Sequence, residues 1–201
     1  MSPNGNNSGS GGNEIVLPDL PGDDEKEDDE ITTTTRYTAN TSISDVINDP
    51  VFGDFGRMIF PVNGGYYSGT TLSNLRLTWY NYINVAHTVE ICNYFKDQTL
   101  QGNQVFYDIY TDAEKAADPR KADTGLFFFR GEQNAKFAVT CAGGGWAYVG
   151  AMHGSFPHAL ELSKKGYNAF AIIYRPGAQT AYEDLARAIT FIFHYAKELG
   201  V

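Results

Sequence analysis

Apolar positions fall into three regimes along this chain. Over residues 1–35 they are sparse, and "SPNGNNSGSGGNE" and "DDEKEDDE" dominate. Such a composition buries too little surface to offset ordering and predicts a disordered Gly/Ser-rich and acidic tail. Over residues 36–103 many apolar positions are aromatic, from Phe52 through Trp79 and Tyr80. This stretch is expected to be a helical, aromatic-rich segment, its aromatics serving either core packing or a pocket wall. Over residues 104–201 short apolar runs alternate with amphipathic stretches.

Specific elements follow. "TSISDVINDPVFG" predicts a short helix capped by Ser42, with Asp45 three residues on and Pro50 as its stop. "TVEICNYFKDQTLQG" (88–102) predicts an amphipathic helix, with Val89, Cys92 and Phe95 or Lys96 on neighbouring turns. "QVFYDIY" (104–110), "TGLFFFRG" (124–131), "KFAVTC" (136–141) and "NAFAIIY" (168–174) read as strands buried on both faces. Between the last two, Ser155 is the expected N-cap of a helix, with Pro157 in its first turn and Gly166 past its end. That order, strand, glycine loop, helix, strand, is a right-handed βαβ crossover. A last helix is expected from Thr180 and Glu183 in capping-box spacing to Gly200, with an apolar face through Leu185, Ile189, Ile192 or Phe193, Ala196 and Leu199. The fold class predicted is α/β, a doubly wound and mostly parallel sheet.

Charge changes the picture only at the amino terminus. Residues 13–30 hold nine acids and one lysine, whereas the remaining 183 residues carry 15 acids against 14 bases. The acidity belongs to the tail, and no basic patch marks a nucleic-acid partner. Cys92 and Cys141 have no metal-ligand spacing and read as small buried residues. His87, His153, His158 and His194 are likewise spaced unlike a ligand set, so no metal is expected. No apolar run is long enough to span a membrane. The tail reads as a tether of an extracellular or cell-envelope protein, with a cytoplasmic tail as the alternative.

The chemistry concentrates in "CAGGGWAYVG" (141–150), where Gly143, Gly144 and Gly145 follow a strand. Side chains are discarded like this where something approaches the backbone closely. One reading is dinucleotide binding, but a glycine fingerprint requires its third glycine where Tyr148 stands, and the next strand ends in Tyr174 and Arg175 rather than an acid. The other reading is an oxyanion hole, in which consecutive N–H groups meet a developing negative charge.

"AGGGW", "GYNAFAIIYR" and "AYEDLARAITFIF" together resemble the amino-terminal half of an α/β-hydrolase esterase of the carboxylesterase and acetylesterase group, over roughly residues 104–201. The resemblance implies an α/β-hydrolase core incomplete at its carboxyl end, and acyl transfer through a serine acyl-enzyme without a cofactor. It assigns the oxyanion hole to Gly144 and Gly145, with Gly143 allowing the turn, and the acyl-pocket wall to Trp146. Tyr174, Arg175, Glu183 and Asp184 occupy matching places, and Arg175 with Asp184 is expected as a structural ion pair. Ala142 stands where many members carry histidine, and the segment from Arg175 to Glu183 is short and lacks the usual Pro-Glu pattern. No G-x-S-x-G occurs, so the catalytic triad is expected beyond Val201 and this chain alone is expected to be inactive. Within the chain, Ser155 with His153 or His158, and Cys141, are the weak candidates. The implied partners are a small ester or acetylated carbohydrate and a carboxyl-terminal hydrolase segment. A non-catalytic binding or scaffold protein with a degenerate hydrolase pocket is the alternative.

Overall fold

The computed structural model describes residues 15–21, 35–80 and 82–201. Most of the expected tail, 1–14 and 22–34, lies outside the described residues. Residues 15–21 do not project freely: Leu17 and Leu20 are partly buried against the body.

Ser42 accepts the Asp45 N–H at 2.9 Å and opens α1 (Ile43–Ile47), as its spacing predicts. Beyond that helix Pro50 starts a 3-10 helix (Pro50–Met58), whose first turn needs no proline N–H and is capped by Asp49. A small antiparallel hairpin follows, β1 (Tyr67–Ser68) with β2 (Arg76–Leu77), then α2 (Val85–Leu100). Asn84 caps α2 through the His87 N–H, so the helix begins before the amphipathic pattern does. Its buried face carries Ile91, Cys92, Phe95 and Lys96. Lys96 is held inside by Asp49, Nζ to Oδ2 2.9 Å, and the Tyr37 hydroxyl donates to the same carboxylate at 2.5 Å.

The remainder is built on a four-stranded sheet: β3 (Phe106–Tyr107), β4 (Gly125–Phe129), β5 (Phe137–Cys141) and β6 (Asn168–Ile173), in the order β3-β4-β6-β5. The architecture is mixed α/β, but the sheet is not mostly parallel. β3–β4 and β4–β6 are antiparallel, and only β5–β6 is parallel. Connection length is the cause. Residues 130–136 between β4 and β5 are too few for a crossover, so β5 runs opposite to β4. β5 and β6 are joined through α4 (Ser155–Lys164), and that longer path returns the chain for parallel pairing. Between β3 and β4, Thr111 and Glu114 close a capping box on α3 (Asp112–Ala117).

Helices cover both faces, and the alternation of β4 shows it. Phe127 and Phe129 point to one face, where they meet Phe95 of α2 at 4.8 and 5.0 Å and Phe156 of α4 at 4.9 and 5.8 Å. Phe128 points to the other, stacking on Phe170 at 4.2 Å beside Tyr107, which meets Phe191 of α5 (Ala178–His194). The last helix, expected to run unbroken to Gly200, breaks at Tyr195, and a short α6 (Ala196–Leu199) then closes at Gly200 in the left-handed conformation.

Three helix details depart from the pattern. Ser155 is not an N-cap: the cap position is Gly154, and the Ser155 Oγ is buried without a hydrogen-bond partner among the described residues. Turns ahead of the helix satisfy its entry instead, with Phe156 N–H donating to the Ala151 carbonyl. Thr180 and Glu183 form no capping box, because α5 begins at Ala178 and the Thr180 hydroxyl donates back to the Pro176 carbonyl at 2.6 Å. The buried face of α5 is Ala181, Asp184, Arg187, Ala188, Phe191 and Ile192. Of the expected apolar face, Ile189 is 37% and Phe193 67% exposed, and Leu185 is only partly buried. Asp184 and Arg187 displace that face because each finds an ionic partner, Arg175 and Glu114, whereas periodicity alone assigns charged residues to solvent.

The Asp49–Lys96 pair yields a stability test. Asp49→Ala strands a buried ammonium, so unfolding free energy should fall by about 3–5 kcal/mol in urea. The hydroxyl of Tyr37 and the ammonium of Lys96 outweigh burial and hold the Asp49 carboxyl below its ordinary range. A depressed folded value means its contribution is full above the unfolded pKa, near about 3.9, and is lost as pH falls through the folded value. Asp49→Asn should therefore flatten the acid limb of the stability curve; an unchanged acid limb would contradict the assignment.

Candidate functional site

The site begins where β5 ends. Cys141 is its last residue, and the chain then turns through Ala142, Gly143, Gly144 and Gly145. The turn is pinned from several sides. The Tyr174 hydroxyl donates to the Ala142 carbonyl at 2.6 Å, Gly150 N–H to the Gly143 carbonyl at 2.9 Å, and Ala147 N–H to the Gly144 carbonyl at 3.0 Å. Gly177, at φ 104, donates its N–H to the Trp146 carbonyl at 2.7 Å and so ties the loop to the start of α5.

Gly144 has φ 151, and a Cβ there would overlap the carbonyl oxygen of Tyr148. Gly145 has φ 60, with the Trp79 ring where its Cβ would go. The close approach that the glycines allow is therefore made first by the protein itself. Trp146 continues the run at φ 60, a conformation rare for a bulky side chain. Such a conformation persists only where the surroundings hold it, and here the Gly177 hydrogen bond does.

A cleft of about 320 Å³ opens beside this loop. Gly143, Gly144 and Gly145 line one part of it, and Trp146, Tyr182 and Leu185 another. Among the described residues nothing accepts a hydrogen bond from the N–H groups of Gly144, Gly145 or Trp146. No ionisable carboxylate, ammonium or guanidinium lines the cleft. Tyr174, also in the wall, is pushed up to about 12 by burial and by the neighbouring Cys141, so it stays a neutral donor. Cys141, expected to be buried, is exposed at the strand end; partial desolvation still raises its thiol above the ordinary range, which leaves it protonated and a poor nucleophile at neutral pH.

Arg175 and Asp184 stand behind the cleft. Arg175 Nη2 lies 2.7 Å and Nε 3.0 Å from Asp184 Oδ1, and the Arg175 backbone N–H donates to Oδ2 at 2.7 Å. The Tyr110 hydroxyl donates to Oδ1 at 2.6 Å, and Asp118 takes Arg175 Nη1 at 2.9 Å. Burial works against the guanidinium's charge, but the hydrogen bonds and charge of Asp184, with Tyr110 and Asp118, together outweigh it and raise its pKa. With every carboxylate oxygen taken, the pair joins β6 to α5 and is not free to clamp a ligand.

The remaining candidates do not converge. Ser155 is 1% exposed with its Oγ unpartnered, so neither histidine activates it. His153 packs on the Tyr80 ring at 4.2 Å, and His158 Nδ1 contacts the Gly154 carbonyl. Among the described residues no group of three His, Cys, Asp or Glu side chains could hold a metal. No helix there is long and apolar enough to cross a membrane.

The structure adds a panel that spacing did not assign. Tyr66 stacks on Tyr148 at 4.8 Å, and Trp79 lies 5.7 Å from Tyr148 and against Gly145. Tyr148 in turn donates its hydroxyl to the Thr78 carbonyl. The amino-terminal aromatics thus back the glycine loop. Their density was visible in the sequence; which of them reach residues 143–148 was not. Comparison with protein-family models, curated proteins and solved structures found no match for this chain.

The loop's conformation can be tested directly. Gly144→Ala should lower unfolding free energy by about 1–3 kcal/mol, the usual cost of a strained backbone position. Gly143→Ala presses only on the Tyr80 hydroxyl, which can move, and should cost less. Equal losses in urea titrations of the two variants would contradict this loop geometry.

Proposed function

We propose that this chain is the amino-terminal portion of a serine hydrolase of α/β-hydrolase type, acting on acyl or acetyl esters, and that its glycine loop is the oxyanion-binding element. The observation that carries the reading is the set of unclaimed N–H groups at Gly144, Gly145 and Trp146 beside an uncharged, aromatic-walled cleft. An ester carbonyl is neutral on arrival and negative in the tetrahedral intermediate. Fixed donors that carry no formal charge favour the second state without attracting anions beforehand. Trp146, Tyr182 and Leu185 would take the apolar acyl group.

The sheet order agrees with the resemblance. β5 has β6 on one side and, among the described residues, no strand on the other. Such an edge leaves backbone N–H and C=O groups unpaired. Ile189 and Phe193 of α5 are exposed, and Phe193 lies 5.5 Å from Phe137 of β5. A strand added beside β5 would cover both and bring a nucleophile to the carboxyl end of the sheet, next to the glycines. The Gly/Ser-rich and acidic composition of the amino terminus supports an extracellular or envelope-attached enzyme. A binding protein is the second reading, favoured by the absence of any Ser–His pair among the described residues.

The 201-residue chain alone should neither hydrolyse a nitrophenyl ester nor be labelled by a fluorophosphonate. A hydrolase segment carrying G-x-S-x-G, fused or added separately, should restore both, and Phe193→Glu should block restoration while leaving the melt of the chain unchanged. Labelling of any serine within these residues would sink the proposal. Tryptophan quenching by an acetylated sugar, with no gain of hydrolysis on supplying that segment, would favour the binding protein.

A further inference from the structure

Residues 15–21, "IVLPDLP", lie across the edge of the sheet opposite to β5, over a groove walled by β3, α3 and α5. Two side chains hold them through main-chain carbonyls. Arg187 Nη2 donates to the Val16 carbonyl, and the Tyr195 hydroxyl donates to the Pro18 carbonyl at 2.7 Å. Those carbonyls are two residues apart, the spacing at which an extended chain turns successive acceptors to one side.

Arg187 is part of a built site. It is 8% exposed, fixed by the Ile109 carbonyl at 2.6 Å and by Glu114 Oε2 at 2.7 Å, and its guanidinium lies 5.1 Å from the Tyr110 ring centroid. The Nη2 that meets Glu114 is also the one that reaches the segment. The groove offers donors, which suits a strand whose Pro18 and Pro21 have no N–H to give. Its floor is aromatic, with Phe106, Tyr107 and Phe191, as grooves for extended proline-containing peptides are.

The segment does not fill its site. About 500 Å³ of space remains between it and the floor, and Ile15 and Val16 stay exposed. Two hydrogen bonds and the partly buried Leu17 and Leu20 are a light hold for a stretch of this length, because each ordered residue carries an entropic cost.

We propose that this groove recognises extended, proline-containing peptide segments through their carbonyls, and that residues 15–21 occupy it in cis as a releasable strap. The strap's seat is contiguous with the cleft's support: Tyr110 carries Arg187 against its ring and donates its hydroxyl to Asp184.

The test uses the full chain, a Leu17→Asp/Leu20→Asp double variant, and a fluorescein-labelled peptide of sequence EIVLPDLPG, followed by anisotropy. The cis segment competes at about millimolar effective concentration, so the peptide should bind the double variant at least about tenfold more tightly than the unaltered chain. Adding Tyr195→Phe to the double variant should weaken binding by about three- to tenfold, the loss of one hydrogen bond. A scrambled peptide should not bind. Absence of saturable binding to the double variant, or equal binding to both chains, overturns the proposal. So does concentration-dependent dimerisation of the unaltered chain that is lost in the double variant, which would assign the segment to a neighbouring copy. Should the double variant fail to fold, limited proteolysis with an acid-specific protease at the Asp19–Leu20 bond decides, since the bonds after Leu17 and Leu20 precede prolines: faster cleavage there in the otherwise unaltered Tyr195→Phe chain supports the strap, and an unchanged rate overturns it.

Discussion

The carboxylate of Asp184 is the point on which the carboxyl-terminal half turns. It stands fully buried on α5, and Arg175 at the end of β6 reaches it through both backbone and guanidinium. A buried charge without such partners costs more than most helices gain by packing, so the partners dictate the helix rotation. With Asp184 inward, Ala181, Ala188 and Ile192 face the sheet, while Tyr182, Ile189 and Phe193 are left outward. The outward stripe is thus a consequence of ion-pair geometry. Tyr110 extends the same arrangement to β3's side of the molecule, where its ring receives Arg187 and its hydroxyl serves Asp184. Burial and the Asp184 carboxylate both push the Tyr110 pKa up, so it remains a donor there.

The glycine loop depends on this frame at one point and on the amino-terminal segment at another. Gly177 immediately precedes α5, and its N–H holds the Trp146 carbonyl. Trp79 and Tyr80 come from the stretch after β2 and lie against Gly145 and Gly143. A loop lacking side chains is ordinarily loose; this one is fixed by neighbours that use the space the side chains would have taken. Fixed donors are what electrostatic stabilisation of a developing charge requires, since they need no reorganisation when the charge appears. The same fixation would serve a binding protein, so the distinction rests on whether a nucleophile is delivered to the cleft.

The two sides of the sheet differ in how they end. Beyond β3 residues 15–21 lie across a cavity that Phe106 and Tyr107 also line, their carbonyls engaged by Arg187 and Tyr195. At β5 the described residues leave the backbone edge open, with no charge between Lys136 and the end of the glycine loop to discourage pairing. One edge thus has a chain segment lying near it, and the other presents an apolar, hydrogen-bonding surface beside the candidate site.

By itself the sequence determined the elements that depend on local chemistry. Ser42 as a cap, the run Gly125–Phe129 as a buried strand, β5–α4–β6 as a crossover and Gly200 as a stop all follow from local contacts or from hydrophobic runs; β5, expected to be buried on both faces, is only half-buried at the sheet edge. The glycines at 143–145 announced a backbone that something approaches. What it could not determine depends on partners distant along the chain. The sheet became largely antiparallel because the link from β4 to β5 is short and β6 inserts between them. Asp184 and Arg187 face inward because Arg175, Tyr110 and Glu114 arrive to neutralise them. Ser155 is buried because the preceding turns satisfy the helix entry in its place. Periodicity records each residue's own polarity, whereas burial of a charge or a hydroxyl is decided by what the fold sets beside it.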